Sequence, residues 1–391
     1  MMTTLAIFLP NLNGGGAERA MLNLARTLSQ QGVQVDLVLL AREGAYIDQV
    51  PDTIRIIDFG HCKLMLSFPL LWNYLHQEKP MILMTSLDQP SLAVLWTRKL
   101  SQWIDSGSHV STMPIVVNIQ NNMSVESRNS VRLKTRLMPW FAKVFFPWAD
   151  AVVPVSEGVG DDLIQLGIPA EQVTVIHNPI VTPEILARST EPIEHPWFVA
   201  GHVPIVVAVG RLTQQKDFPT LLNAFAKARI LRPMKLIILG EGELRSELEG
   251  LMVQLGIQND VSLPGFVENP FAYVARSDLF VLSSLFEGLP TVLIEAMAMG
   301  TPVVATDCPS GPHEILKGGL YGPLVKMSSP DELAAAMISR LEQPRDSALL
   351  MRWASRYSID ESVSAYTRLF KSLDLAGTFG RNPSLTDTHS S

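Results

Sequence analysis

The sequence predicts an α/β protein with two parallel-sheet domains, on three observations. Short apolar runs alternate with amphipathic stretches along most of the chain, the rhythm of strand–helix–strand crossovers. A proline-bearing stretch without period, 183–204, divides that rhythm into two halves. At 391 residues the chain is long enough for two domains of ordinary size.

Composition narrows the function classes. Charged residues make up 18% and hydrophobic ones 47%, which describes a folded chain rather than a disordered one. The net charge of −7 argues against a nucleic-acid binder, which is more often basic. The two cysteines, Cys62 and Cys308, form no C-x-x-C pair and have no metal-ligand spacing, so a reduced cytoplasmic protein without a metal is expected. The N-terminal apolar run is short and lacks a basic lead-in, so no secretory leader is expected. No run approaches the roughly 18 apolar residues that would span a membrane, while a peripheral contact stays open.

The first half, 1–182, opens with a buried strand at 5–9. Residues 11–16 form a glycine loop, and 17–31 are helical, with Ala20, Met21, Leu24, Ala25 and Leu28 on one face. Strand, glycine loop and helix are laid out as in a phosphate loop, because glycine lets the backbone approach a ligand closely. Gly15 and Gly16 are the candidates, and a plain turn explains them equally well. The spacing is neither G-x-G-x-x-G nor a Walker sequence, so dinucleotide binding and ATPase activity are unsupported. Further strands are expected at 33–40, 54–57, 81–84, 115–117, 151–155 and 173–176. Asp88 and residues 118–122 follow two of these, at carboxyl ends where open α/β sheets bind ligands.

Asn178-Pro179 closes that half, and 183–204 is read as a linker. The second half, 205–357, starts with a strand at 205–209. Gly210, Arg211 and Lys216 follow it directly, and the two cations suit a diphosphate leaving group. Strands are expected at 235–239, 261–263 and 303–306, and helices over 243–255 and from 330 into the early 370s. Residues 376–391, polar with Gly, Pro, Ser and Thr, read as a disordered tail.

Within this half the most informative stretch runs from Ser283 to Gly300. Residues 279–282 form a short buried strand, Gly288 and Pro290 punctuate a tight loop, and a helix follows, with Pro290 suited to its first position. Free N–H groups around Gly288, Leu289, Thr291 and Val292 can bind a diphosphate. Glu287 in the loop and Glu295 on the helix are acceptor-only carboxylates, each able to grip vicinal hydroxyls. His313, in the loop after the strand at 303–306, reads as solvent-facing.

The run Phe286-Glu-Gly-Leu-Pro-Thr-Val-Leu-Ile-Glu-Ala-Met-Ala-Met-Gly-Thr-Pro-Val-Val-Ala-Thr306 resembles the donor-site motif of family 4 glycosyltransferases. Gly14-Gly-Gly-Ala-Glu-Arg19, Val209-Gly-Arg-Leu-Thr-Gln-Gln-Lys-Asp217, Gly240-Glu-Gly-Glu-Leu-Arg245 and Pro309-Ser-Gly-Pro-His-Glu-Ile-Leu316 match further pieces, in family order. The resemblance covers most of residues 5–370. It implies a retaining enzyme with two Rossmann-like domains facing across a cleft, the GT-B architecture. The first domain would take the acceptor and the second the nucleotide-sugar donor. The last helix, about 358–375, would cross back to the first domain.

By the same resemblance, Glu287 holds the transferred sugar, Glu295 the ribose, and Arg211 with Lys216 the leaving diphosphate. The glycine loop faces the diphosphate, and Gly265, Phe266 and Val267 border the base. Relatives carry a histidine where this chain has Asn121, in Gln120-Asn121-Asn122. An amide can donate to a hydroxyl but takes no proton at neutral pH. The expected reaction moves a hexose or N-acetylhexosamine, UDP-linked, to a glycan or lipid-linked acceptor in polysaccharide or lipopolysaccharide synthesis, without a metal. An epimerase or phosphorylase of the same architecture, or a non-catalytic sugar-nucleotide-binding partner, remains open.

One more stretch bears on the acceptor. Arg128, Arg132, Lys134, Arg136 and Lys143 interleave with Trp140, Phe141, Phe145, Phe146 and Trp148, and Pro139 is expected to start a second helix. Cations draw anionic headgroups and aromatics suit the lipid boundary, while core aromatics beside a solvated cationic helix face explain the stretch equally well. The resemblance, to a family in which many members glycosylate lipid-linked acceptors at the cytoplasmic membrane face, implies a peripheral membrane contact through residues 128–148.

Overall fold

Short, fully apolar strands need both faces covered, and here they assemble into parallel sheets flanked by helices. The computed structural model describes residues 5–13, 15–198, 203–374 and 379. Gly14 of the glycine loop, residues 199–202 of the expected linker and the expected tail, Phe379 apart, lie outside these residues. The described residues form two compact units.

The first unit holds β1 Leu5–Leu9, β2 Val35–Leu39, β3 Arg55–Asp58, β4 Ile82–Ser86, β5 Ile115–Ile119 and β6 Ala151–Pro154, all parallel, in the order β3-β2-β1-β4-β5-β6. Five of the six strands are buried at every residue, and only the edge strand β3 is not. The helix Gly16–Gln30 presses Ala20, Met21, Leu24, Ala25 and Leu28 onto this sheet. The helix Ile359–Leu373 belongs to the same unit and puts Val363, Tyr366 and Phe370 into the same core. The Asn118 amide donates to the Tyr366 hydroxyl at 3.1 Å, and the Ser362 hydroxyl to the carbonyl of His177 at 2.8 Å.

The second unit holds β7 Ile205–Val209, β8 Lys235–Leu239, β9 Val261–Gly265, β10 Leu279–Leu282, β11 Val303–Thr306 and β12 Leu324–Val325, again all parallel, in the order β12-β11-β10-β7-β8-β9. Read from its other edge, this is the order of the first sheet. Each sheet therefore reverses its winding once, between β1 and β4 and between β7 and β10. Doubly wound sheets bind ligands beyond the carboxyl ends of the strands at that reversal.

Four expectations are corrected. Residues 173–176 form no ladder beyond a single bridge, Val152 to Val173. The N–H groups of Thr174 and Ile176 reach the carbonyls of Val152 and Pro154, but Pro154 has no N–H to return the bond. Pro139 starts no second helix. It lies inside one continuous helix, Leu133–Phe145, which forgoes the bond to the Thr135 carbonyl. Pro290 is the N-cap of the helix Thr291–Ala298 rather than its first residue. The stretch expected as a linker contains the helix Pro183–Ser189, capped by the Thr182 hydroxyl on the N–H of Ile185.

Candidate active site

In the second unit the reversal falls between the loops that follow β7 and β10, and hydrogen bonds tie these loops together. The Ser283 hydroxyl donates to the Lys216 carbonyl at 2.6 Å, the Leu285 N–H to the Gln215 carbonyl at 2.8 Å, and the Gln215 amide to the Phe286 carbonyl at 2.9 Å. The same contact sets a charge pair, with Lys216 Nζ 2.6 Å from Glu287 Oε1. Ser284 Oγ donates to that same oxygen at 2.6 Å. The Glu287 side chain is 8% exposed and that of Lys216 16%, so the pair is largely desolvated. Glu287 Oε2 has no hydrogen-bond partner among the described residues.

Two glycines make this packing possible. A Cβ on Gly210 would sit 3.1–3.2 Å from the Lys216 stem, so glycine leaves the lysine room to fold back toward Glu287. Gly311, at φ +87°, lies where a Cβ would collide with the Pro290 ring. The loop after β11 is thereby closed over the start of the helix Thr291–Ala298. That helix has no side-chain N-cap. Its first-turn N–H groups thus lack the usual side-chain acceptor, and helix N-termini of this kind attract anions. Glu295, on the same helix, is 9% exposed. Arg211 is exposed and makes no ion pair among the described residues. Buried Cys308 lies in the field of the pair: burial, reinforced by the charge of Glu287 and opposed by Lys216, pushes its thiol up to about 12.

Gly265 ends the edge strand β9, its carbonyl accepting from the N–H of Gly240 at 2.9 Å. Phe266 beside it is 80% exposed and Val267 half-buried. Gly288, Leu289 and Pro290 are buried and Thr291 half-buried. His313 is exposed and pairs with Asp307.

In the first unit the reversal lies between β1 and β4, and the loops beyond the strand ends line a cavity of about 350 Å³. Its walls include Leu87, Asp88, Gln120, Asn121, Glu126 and Thr135. Leu87 adopts φ +76°, a strained backbone for a bulky side chain, at the point where β4 passes into the helix Asp88–Ile104. The Asp88 carboxyl is pushed up to about 7, by burial first and then by the charge of Glu126. Glu126 is itself raised by burial, against a hydrogen bond from Asn121.

The Gln120-Asn121-Asn122 run divides its tasks. Gln120 is held inward, donating to Asn118 and accepting from the Asn178 amide at 2.7 Å. Asn122 caps the helix Met123–Asn129 through the N–H of Val125 at 3.0 Å. Asn121 is exposed in the wall of the cavity, its side chain hydrogen-bonded to Glu126. Gly15 is the N-cap of the helix Gly16–Gln30, and Gly16 is its first residue; both are exposed.

Sequence reasoning therefore located the residues of both loop clusters. It missed Ser284, Cys308, Leu87 and the approach of Glu126 to Asp88. The separation of Glu126 from Asp88 in sequence hid that approach, although both lie just after apolar strands.

Comparisons with known proteins bear on the family and the fold. The model for Glycosyltransferase Family 4 matches residues 14–183, and that for Glycosyl transferases group 1 matches residues 191–356. The chain is 29% identical over 360 residues to the N-acetylgalactosamine-N,N'-diacetylbacillosaminyl-diphospho-undecaprenol 4-alpha-N-acetylgalactosaminyltransferase of Campylobacter jejuni, covering 88% of this chain and 92% of that protein. It is 27% identical over 370 residues to the lipopolysaccharide core biosynthesis glycosyltransferase LpsE of Rhizobium meliloti, covering 92% and 96%. The crystal structure of Anabaena HepE in complex with UDP shares the fold, at a TM-score of 0.76 and 19% identity, covering 94% of this chain and 100% of that one. No helix among the described residues is long and apolar enough to cross a membrane.

Proposed function

The chain belongs to the family 4 glycosyltransferases, of GT-B type, and from that premise we propose a specific reaction. The enzyme moves a hexose or N-acetylhexosamine from a UDP-linked donor, with retention, to a glycan or lipid-linked acceptor in cell-surface polysaccharide synthesis. The observation that carries the reading is the half-satisfied Glu287. Lys216 and Ser284 orient its Oε1, and Oε2 is left to accept from sugar hydroxyls. The nucleotide and acceptor classes are supported by HepE, which binds UDP, and by the C. jejuni relative, whose name specifies a diphospho-undecaprenol acceptor.

In this reading the second unit takes the donor. The bond from the anomeric carbon to the diphosphate breaks, and its electron pair stays with the diphosphate. The acceptor oxygen bonds to that carbon on the vacated face and passes its proton to the departing phosphate. The protein's own part is to position reactants and stabilise charge. Lys216 has donors to spare beyond Glu287, and Arg211 is unpaired among the described residues, so both can meet the diphosphate. The N–H groups around Gly288, Leu289 and Thr291 add to that cradle, Glu295 grips the ribose diol, and Gly265, Phe266 and Val267 border the base. In the first unit, which takes the acceptor, Asn121 contacts a sugar hydroxyl, and Gly15 and Gly16 let the backbone come close to a ligand.

A screen of nucleotide sugars with purified protein tests the reading, measuring nucleotide release with and without lipid-linked acceptors, in EDTA. Acceptor-dependent UDP release is expected. Turnover of donor alone to an epimer, or activity lost to EDTA and restored by manganese or magnesium, would overturn it.

The protein is read as cytoplasmic, with a peripheral membrane contact supported by the helix Leu133–Phe145. Its Leu133, Leu137, Trp140 and Val144 form an exposed apolar stripe, and it buries only Met138 and Ala142. Arg128, Arg132, Lys134, Arg136 and Lys143 are all exposed on or beside it, while Phe146 is core. Pelleting with anionic vesicles at low salt is expected, and it should be lost when Arg132, Lys134 and Arg136 are changed to Glu. Equal pelleting of both proteins would remove the membrane from the reading.

A further inference from the structure

A second cavity, of about 410 Å³, lies beside the carboxylate pocket in the first unit, and its walls are of the opposite character. Phe68 from the helix Ser67–Glu78, Leu92 and Trp96 from the helix Asp88–Ile104, and Leu137 and Phe141 from the helix Leu133–Phe145 line it. Lys134 is the one charged residue among its lining residues. Leu64, Gln89 and Met138 line both cavities, so the two are adjacent. One helix divides them: Thr135 borders the polar pocket, while Lys134, Leu137 and Phe141 border the apolar one.

Three observations say what fills this space. A cavity of this volume is in the range that holds a small organic ligand, and its walls offer almost nothing to hydrogen-bond with water. Large apolar side chains are exposed on the elements beside it, with Leu66 at 66%, Leu133 at 68% and Trp140 at 58%. Soluble monomers seldom leave such a patch bare without a partner for it. Arg132, Lys134 and Arg136 are exposed on the same helix and make no ion pair among the described residues, which suits an anionic linker group.

We propose that the apolar groove holds the hydrocarbon chain of a prenyl-diphosphate-linked acceptor, drawn out of the bilayer. The diphosphate meets Arg132, Lys134 and Arg136, and the acceptor sugar occupies the neighbouring pocket of Asp88, Gln120, Asn121 and Glu126. The proposal rests on the lipid-linked branch of the acceptor reading above. It adds that the enzyme recognises the lipid itself, rather than only the sugar at the membrane surface.

The test is direct binding of two probes to the full chain by calorimetry, without donor and without sugar transfer. Geranyl diphosphate and geranylgeranyl diphosphate present the same anion on a short and a long chain. Wild type is expected to bind the longer one about tenfold or more tightly, because each buried methylene favours transfer from water. Leu137→Glu puts a carboxylate in the groove at a position 44% exposed, where it does not have to be buried in the core. Leu133→Glu does the same at the mouth and serves should the first variant misfold. Each is expected to bring the ratio of the two affinities close to one. A chain-length preference that survives both substitutions would overturn the proposal, as would equal binding of the two probes by wild type. A dimer that Leu137→Glu dissociates, with no chain-length preference, would instead give the groove to a second copy. Because no sugar is transferred in this assay, its failure is distinguishable from failure of the donor screen.

Discussion

The two sheets share one strand order, yet the loops at their reversals have opposite designs. In the second unit the loops after β7 and β10 are tied by three hydrogen bonds and a buried ion pair, with Gly210 packed against the Lys216 stem. In the first unit the corresponding loops leave open space, and Asp88 and Glu126 face it with no ion pair among the described residues. A diphosphate brings charge that must be met by fixed counter-charge, and rigidity there lowers reorganisation during the reaction. Neutral hydroxyls need acceptors and room, and in this pocket burial raises both carboxyls, that of Asp88 further by the charge of Glu126. The contrast shows that two sheets of one strand order can carry loops of opposite chemistry at their reversals.

The largest effect should come from breaking the ion pair. Lys216→Ala is expected to lower kcat by about 10²–10³-fold, the usual loss of one donor to developing negative charge. Glu287→Ala should match that loss. It should also destabilise the fold by up to about 3 kcal/mol, since it strands a buried ammonium. The double variant should be no worse than Glu287→Ala alone, in kinetics and in denaturant melts. Strictly additive losses would mean that the two charges act separately. Arg211→Ala, an exposed cation, should cost about 10–100-fold, the range for one hydrogen bond to a charged group.

The first unit predicts a smaller effect that depends on pH. The carboxyl of Asp88 titrates near 7 when folded and near 3.8 when unfolded. Between those values the folded protein keeps a proton that the unfolded chain has released, so the contribution of Asp88 to stability falls as pH rises. Asp88→Asn stays neutral throughout. It should match wild type below pH 3.8 and exceed it increasingly as pH rises toward about 7. A difference that does not change with pH would show that Asp88 is not the group that distinguishes this pocket. Asn121→His should change least, within about 0.5 kcal/mol in stability, because the side chain is exposed. Misfolding of that variant would make Asn121 a structural residue.

The strands that were legible in the sequence are those whose burial left a continuous apolar run, and Leu5–Leu9, Ile205–Val209 and Leu279–Leu282 match to the residue. Leu324–Val325 is too short to leave such a trace. Residues 173–176 look like a strand because their own composition is right. What stops them is a missing N–H on the partner, at Pro154, which periodicity does not report. The same limit applies to the sites. That Lys216 and Glu287 both follow strands could be read from pattern, but the 2.6 Å between them depends on which strands are neighbours. Pro139 was misjudged because proline usually ends a helix. Here the helix Leu133–Phe145 runs on past it with Met138 and Ala142 buried, which outweighs one absent bond.

The helix Ile359–Leu373 has a consequence for how the molecule is made. It fills the core of the first unit, but a ribosome delivers it only after the entire second unit has emerged. At about 5–20 residues per second, the face that Val363, Tyr366 and Phe370 will cover stays bare for on the order of ten seconds or more. During that interval the nascent N-terminal half exposes part of its apolar core, while the second unit, contiguous over nearly its whole length, can fold as it appears. A premature stop just before Ile359 would therefore spare the half nearest the break and cripple the one made first.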